Sequence, residues 1–124
     1  MSIRLIRHMS SRPEQRKLRK FLIDNKEHKC IICQKNHPTY LLECAHIKPR
    51  CMSSDVERLD FNIVNLMCRN CHKIYDKGDI SIDNGILIEN EFLKNYDFEG
   101  NFNKSEYERS EKYFIFHFEN IYSK

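Results

Sequence analysis

The sequence has no apolar run long enough to cross a membrane, and no apolar stretch follows its basic N-terminus. A transmembrane helix needs about 20 apolar residues, and a secretory signal needs an apolar core after its positive end. Internal repeats, low-complexity segments and linkers are also absent. We therefore expect a soluble, cytoplasmic protein in which residues 1–124 form a single domain, with residues 1–10 as a loose tail.

Six cysteines are present, a number that would indicate disulfides in a small secreted protein. Four of them form two Cys-x-x-Cys units, Cys30 with Cys33 and Cys68 with Cys71. Two thiolates at that spacing reach one tetrahedral ion, so the four cysteines predict a structural Zn²⁺ site. Four reduced thiols without metal are the alternative. Cys44 and Cys51 are left over, and we expect both to be at least partly buried.

Positive charge is concentrated in the N-terminal third of the chain. The net charge of +3 is modest, but residues 1–29 contain nine Lys or Arg against three acidic residues. Residues 89–124 contain five against eight. Such a basic region suits a polyanion such as nucleic acid, and a solvated helix face is the alternative explanation.

The basic region includes a predicted amphipathic helix. Residues 11–14, Ser-Arg-Pro-Glu, are typical of a capping box with proline in the first turn, and the helix continues to about Lys26. Leu18, Phe21 and Leu22 share its apolar face. The basic residues that lie largely around the other face are Arg16, Lys17, Arg19 and Lys20.

The central part of the chain predicts two strands followed by a helix. Residues 40–47 and 63–67 are short apolar runs, and residues 50–61 between them predict an irregular loop. From Asn70 the pattern becomes helical until Gly78, which is a typical helix stop.

Two further elements follow. Isoleucine-rich runs on either side of Asn84-Gly85 predict a tight β-hairpin. A last helix is predicted from about Ser105 to Tyr122. Its apolar stripe consists of Tyr107, Phe114, Phe118 and Ile121, which we interpret as core residues.

Three polar side chains in the central part are suited to hydrolytic chemistry. A neutral imidazole near pH 7 is the natural general base for water, so His46 is a candidate base. His72 and Asp76 are four residues apart on the predicted helix, and a histidine and a carboxylate on one helix face can hold a divalent cation. Singly, each has an ordinary structural explanation; together, beside four thiols, they predict a site.

The order of these residues resembles the HNH endonucleases, whose fold is a ββα-metal finger. Residues 42–49, Leu-Glu-Cys-Ala-His-Ile-Lys-Pro, are similar to the family's first strand. Residues 62–68 are similar to its Asn-Ile-Val-x-Leu-Cys segment with one additional residue, and residues 71–78 to its His-x-x-Phe-Asp-x-Gly helix. A weaker similarity extends over about residues 12–122 and includes His117 in the closing helix.

The resemblance implies an α+β fold, with a ββα core at about 40–78 and a four-cysteine zinc site. A basic N-terminal helix, a β-hairpin and a C-terminal helix would flank this core. His46 would be the general base, and Asn62 would hold the loop that supports it. His72 and Asp76 would bind one catalytic divalent ion, Mg²⁺, Mn²⁺, Ni²⁺ or Zn²⁺. Because of the additional residue, Asn65 is an alternative to Asn62 for the middle role.

The sequence departs from the family at a metal-ligand position. Ala45 stands where other branches place a ligand, so water, phosphate or Glu43 would complete the metal shell. The resemblance implies DNA as the partner, a restriction or defence role, and no membrane, and a homodimer cutting both strands is compatible with it. The candidate phosphate contacts are Lys48, Arg50 and Arg69. The alternative function is a zinc-stabilised nucleic-acid-binding module without catalysis.

Overall fold

The structure is a computed structural model that describes residues 13–93, 98 and 101–123. In chain order its helices and strands are α1 (Pro13–Asn25), β1 (Leu42–His46), α2 (Asp55–Arg58), β2 (Val64–Cys68), α3 (Arg69–Lys77), β3 (Ile80–Asp83), β4 (Ile86–Glu89), α4 (Lys104–Arg109) and α5 (Glu111–Asn120). The α+β class is therefore confirmed. The predicted tail and the first half of the predicted capping box lie outside the described residues.

The centre of the fold is a strand–strand–helix unit. β1 and β2 pair antiparallel, with Leu42 opposite Cys68 and His46 opposite Val64. α3 begins at the residue after β2, so that the end of the second strand fixes the start of the helix. This arrangement is the ββα finger that the sequence predicts.

A glycine ends α3 as predicted. Gly78 has φ +81°, a left-handed conformation that glycine adopts without steric cost. Any side chain there would also collide with the C-terminal segment, since an added Cβ would overlap the carbonyl oxygen of Ile121. The Gly78 carbonyl in turn accepts a hydrogen bond from the Ser123 amide at 2.8 Å. The end of α3 is thereby fixed against the end of the described chain.

α1 is hydrogen-bonded to β1 through its own side chains. Arg19 donates to the carbonyl oxygens of Leu42 at 2.6 Å and Thr39 at 2.9 Å. One turn earlier, Gln15 donates to the carbonyl oxygen of Cys44 at 3.3 Å. Arg19, which the sequence places on the basic face, is thus part of the joint between helix and strand.

The segment predicted as an irregular loop contains a short helix, so that prediction is wrong at α2. Its capping box is reciprocal: the Ser54 hydroxyl accepts from the Glu57 amide at 3.2 Å, and the Glu57 carboxylate accepts from the Ser54 amide at 2.9 Å. A helix of a single turn is too short to show a periodic pattern of apolar residues, so the apolar pattern did not indicate α2.

The predicted hairpin is confirmed, and the predicted last helix is interrupted. β3 and β4 pair around Asn84 and Gly85, both with positive φ, as a tight turn requires. Ser110 separates α4 from α5, and its hydroxyl donates to the carbonyl oxygen of Asn62 at 2.6 Å. The interruption therefore joins the C-terminal helices to the segment before β2.

One hydrophobic core connects these elements, and it includes Leu18, Leu22, Leu42, Tyr75, Ile80 and Phe114. Tyr107 and Phe114 are buried as expected, whereas Phe118 and Ile121 are only half-buried. No helix in the described part of the chain is long and apolar enough to cross a membrane.

Candidate active site and metal centre

The two cysteine knuckles meet at the base of the ββα unit. The ligand atoms of Cys30, Cys33, Cys68 and Cys71 all lie within 4.8 Å of one another. Tetrahedral zinc with Zn–S bonds of about 2.3 Å needs sulfur atoms about 3.8 Å apart, so this cluster fits such an ion. The backbone amide of Ile32 donates to the Cys30 sulfur at 3.4 Å, and a hydrogen bond with Cys71 holds the pKa of Cys30 below its usual range.

The two remaining cysteines differ from each other. Cys44 is buried, and burial raises the pKa of its thiol to about 12, so it stays protonated. Cys51 is exposed, which contradicts the expectation that it is at least partly buried. It follows the residue that opens a 3₁₀ turn beside Pro49, and this turn directs it to solvent.

A second polar site lies in a cleft of about 320 Å³ bounded by α1, β1, α3 and α5. Its polar lining includes Gln15, His46, Arg50, His72, Asp76 and His117. The structure therefore brings the three candidate residues of the predicted hydrolytic site, His46, His72 and Asp76, into one cavity.

The imidazole of His46 lines this cleft, and one of its nitrogens is unpaired. Its Nε2 atom is buried and has no hydrogen-bond partner among the described residues. Burial, with a smaller contribution from the nearby Arg50 guanidinium, lowers the pKa of His46 to about 4. The imidazole is therefore neutral at pH 7, the state in which a histidine accepts a proton.

His72 lies between two carboxylates. Its Nδ1 is 2.7 Å from Glu43 Oε1, and its Nε2 is 3.1 Å from Asp76 Oδ2. These contacts, that with Asp76 foremost, raise the pKa of His72. When Nδ1 donates to Glu43, Nε2 is directed toward Asp76, as a carboxylate behind a ligating histidine directs the other nitrogen toward a metal.

This arrangement fits a divalent cation held by one imidazole and one carboxylate. In the described part of the chain, the cysteine cluster is the one place where three or more ligand side chains converge. A cation beside His72 would therefore take two protein ligands and leave its other positions to water or substrate. Glu43 is hydrogen-bonded to the far side of the imidazole, which favours a supporting role over the ligand role considered from the sequence.

Neither candidate for the middle residue lines the cleft. Asn62 is exposed. Its backbone amide donates to Asp60 Oδ1 at 2.9 Å, and its side chain has no partner among the described residues. Asn65 is 1% exposed; its side chain donates to Glu106 and accepts from the Leu66 amide. Asn62 lies just before β2, and Asn65 lies within it opposite Ala45; the role given to Asn62 stays a prediction.

The three candidate phosphate contacts have different surroundings. Lys48 is 14% exposed and lies 2.9 Å from Glu57, with its ammonium over the Phe116 ring. Arg50 lines the cleft and pairs with Glu14 at 2.8 Å. Arg69 is 73% exposed at the edge of the site. Arg50 and Arg69 are therefore better placed for a substrate than Lys48.

Sequence reasoning did not find two polar residues of the cleft. Gln15 comes from the first turn of α1, and a glutamine there looks like any polar helix residue. His117 was noted only through the resemblance; it is 1% exposed, accepts from the Ser81 hydroxyl at 2.7 Å and donates to the Tyr75 carbonyl at 2.8 Å. No local motif distinguishes either residue, because both are defined by tertiary packing.

Residues 30–83 match the sequence model of a family described as HNH endonuclease. The match runs from the first cysteine knuckle through β3 and includes the whole ββα unit. This match supports the HNH endonuclease family, the resemblance that the sequence predicted. At the level of the family, this supports a nuclease-type function with nucleic acid as the substrate. No curated protein matches the chain.

Proposed function

We propose that the protein is a metal-dependent endonuclease that hydrolyses phosphodiester bonds in DNA, with His46 as the general base. The observation that carries this proposal is the shared cleft: the uncharged imidazole of His46 lines the same cavity as a His72–Asp76 pair suited to a cation. A binding module would have no need of an uncharged base beside a cation site.

His72 and Asp76 would hold the ion, with Nδ1 of His72 fixed by Glu43. When bound, a divalent cation supplies positive charge next to the scissile phosphate and the departing 3′ oxygen. His46 takes one proton from a water molecule while the water oxygen forms a bond to phosphorus. The bond from phosphorus to the 3′ oxygen breaks, that oxygen takes a proton from solvent, and His46 returns its proton to solvent. One water is consumed, and the products are a 5′ phosphate and a 3′ hydroxyl.

The cysteine cluster would have a separate duty. With Zn²⁺ bound, it would tie the knuckle at Cys30 and Cys33 to the junction of β2 and α3. Because His72 follows that junction by one turn, the cluster fixes the helix that carries the cation ligands. This arrangement supports a structural metal next to a catalytic one.

Arg50 and Arg69 would contact phosphates at the cleft edge, and Asn62 would support the loop below the base. The resemblance to restriction-type members of the family supports a restriction or defence role on double-stranded DNA, and a homodimer would cut both strands. One domain would carry all of these functions, because α1 and α5 contribute walls to the same cleft as the ββα unit.

The test is cleavage of supercoiled plasmid with Mg²⁺, Mn²⁺ or Ni²⁺ by the wild type and by His46→Ala. Loss of the base should lower the rate about 10²- to 10⁴-fold. DNA affinity, measured in Ca²⁺ or without metal, should stay unchanged, since an uncharged side chain contributes little to phosphate binding. If the wild type binds DNA but cuts it with none of the metals, the non-catalytic binding module replaces this proposal.

A further inference from the structure

Tyr75 is a buried side chain of α3 whose hydroxyl reaches the end of β1. It is 0% exposed, and its hydroxyl donates to the carbonyl oxygen of Ile47 at 2.8 Å. Burial raises the pKa of Tyr75 well above its usual range, so the phenol stays protonated. A carbonyl oxygen can only accept, and the direction of this hydrogen bond is therefore fixed.

The two ends of this hydrogen bond lie next to the two halves of the proposed active site. Ile47 directly follows His46, the candidate base, at the point where the register of β1 with β2 ends. Tyr75 directly precedes Asp76, one of the two candidate cation ligands on α3. The Tyr75 hydroxyl thus binds the backbone that carries the base to the helix that carries the cation ligands.

Another contact joins α3 to β1 nearer the start of the strand. His72 Nδ1 lies 2.7 Å from Glu43 Oε1, three residues before His46. That contact orients the imidazole of His72. The end of β1 is held to the β2 side by the Ile47 amide, which donates to the Ile63 carbonyl at 2.7 Å, and to α3 by the Tyr75 hydroxyl.

The ring and the backbone of Tyr75 are both fixed by His117. The two rings are stacked, with centroids 3.6 Å apart and an angle of 12° between their planes. His117 Nε2 donates to the Tyr75 carbonyl at 2.8 Å, and its Nδ1 accepts from the Ser81 hydroxyl at 2.7 Å. Because contacts with α5 hold both parts of Tyr75, its hydroxyl keeps its place against Ile47.

We propose that Tyr75 is a positioning residue that sets the placement of His46 relative to the cation held by His72 and Asp76. This inference rests on the hydrolysis proposed above. Tyr75 neither exchanges a proton nor binds the cation. It holds the base where a water molecule beside the cation can reach it, and a displacement of about 1 Å in such an arrangement can cost a factor of about 10² in rate.

The experiment is single-turnover plasmid cleavage in saturating Mn²⁺ by the wild type, Tyr75→Phe, His46→Ala and the double variant. Phenylalanine keeps the ring that stacks on His117 and removes only the hydroxyl. Tyr75→Phe should cut about 10- to 10²-fold more slowly. Its affinities for DNA and Mn²⁺ should match those of the wild type, because the cation ligands and the surface charges remain. The double variant should be no slower than His46→Ala alone, because Tyr75 acts through His46.

Tyr113→Phe is the matched control, since it removes the same atom from another buried tyrosine. The Tyr113 hydroxyl donates to Asp60 Oδ2 at 2.6 Å, and the Asn62 amide keeps its own bond to Asp60 Oδ1. This variant should lower the melting temperature and leave the cleavage rate unchanged. An equal loss of rate in both tyrosine variants, a multiplicative loss in the double variant, or a fully active Tyr75→Phe would each overturn the inference.

A crystal structure of the wild type with Mn²⁺ gives a readout that does not depend on activity or on the folding of a variant. The Tyr75 hydroxyl should lie within hydrogen-bond distance of the Ile47 carbonyl oxygen, and a structure in which they are separated would overturn the inference. A wild type that cuts no DNA in any metal refutes the proposed function and this inference with it. A wild type that cuts while Tyr75→Phe cuts equally well refutes the inference alone.

Discussion

The cysteine cluster and the cleft beside it share the ββα unit, but their polar atoms are arranged differently. In the cluster, four ligand atoms converge within 4.8 Å and no further ligand is needed. In the cleft, one imidazole and one carboxylate lie where a cation would need more ligands. A closed ligand set suits a structural metal, whereas an open set leaves positions for water and substrate. The first should therefore govern stability and the second activity.

The largest expected effect is loss of the fold when one ligand of the cysteine cluster is removed. Cys71→Ser removes one of the four ligands and should leave the protein largely unfolded. Structural zinc contributes about 10–16 kcal/mol in small domains, which exceeds or equals the stability of a typical domain. Circular dichroism with thermal melting, and the ratio of zinc to protein, measure the effect.

Cys51→Ser is the control for this prediction, because Cys51 is exposed and outside the cluster. It should keep both its melting temperature and one zinc per chain. Two results would contradict the conclusion that the cysteine cluster governs stability. One is cooperative unfolding of Cys71→Ser at the wild-type melting temperature. The other is cooperative unfolding of the wild type at that temperature after complete removal of metal.

The second prediction concerns pH and the wall of the cleft. Burial lowers the pKa of His117 to about 4. The unfolded chain binds a proton at this histidine below about pH 6.5, and the folded protein only below about pH 4. The neutral His117 therefore makes its full contribution to the free energy of unfolding above pH 6.5. This contribution is lost as the pH falls toward 4, and the total loss is about 3 kcal/mol.

Denaturant unfolding between pH 4 and 8 measures this loss. The cysteine site also binds metal less tightly in acid, so the comparison with His117→Gln is needed. Glutamine keeps a donor and an acceptor for Ser81 and the Tyr75 carbonyl but does not titrate. The free energy of unfolding of this variant should fall less steeply between pH 6.5 and 4, and parallel curves would show that His117 makes no contribution.

Local patterns in the sequence were sufficient for the ββα unit and the cysteine cluster. The two Cys-x-x-Cys units carry their own spacing, the apolar runs before Cys68 and around His46 have the strand pattern, and Gly78 marks the helix end. Each of these signals lies within a few residues, and for this reason the sequence alone is informative about them.

The parts that the sequence did not indicate depend on long-range contacts. Gln15 meets Cys44 across 29 residues of chain, and His117 meets Ser81 across 36. The interruption at Ser110 is likewise coupled to a distant partner, the Asn62 carbonyl. A side chain whose role comes from a partner on another element has no period or spacing that shows it, so the cleft could be predicted only in the residues of the motif itself.

The third prediction separates the two asparagines. Asn65→Ala removes the hydrogen bond from Asn65 to Glu106 and leaves the Leu66 backbone amide without its acceptor. The substitution should therefore destabilise the protein by about 1–3 kcal/mol. Asn62→Ala removes an exposed side chain and should change stability by less than about 0.5 kcal/mol. If Asn62 supports the base, as the resemblance implies, its variant should lose cleavage activity at unchanged stability. Urea denaturation and plasmid cleavage of both variants provide the comparison, and a fully active Asn62→Ala would assign the middle role elsewhere.

The smallest expected effect lies at the exposed edge of the cleft. Arg69 is 73% exposed and 3.6 Å from Glu43, so its charge is available to a phosphate. Arg69→Gln should weaken DNA binding about equally for all sequences and reduce by about 1 the slope of log affinity against log salt concentration. Lys48→Gln should reduce the slope less, because Glu57 already neutralises that ammonium at 2.9 Å. Fluorescence anisotropy with a labelled duplex at several salt concentrations gives both slopes. A larger change for Lys48→Gln than for Arg69→Gln would mean that DNA displaces Glu57, and that the bound substrate extends past α2 rather than across the start of α3.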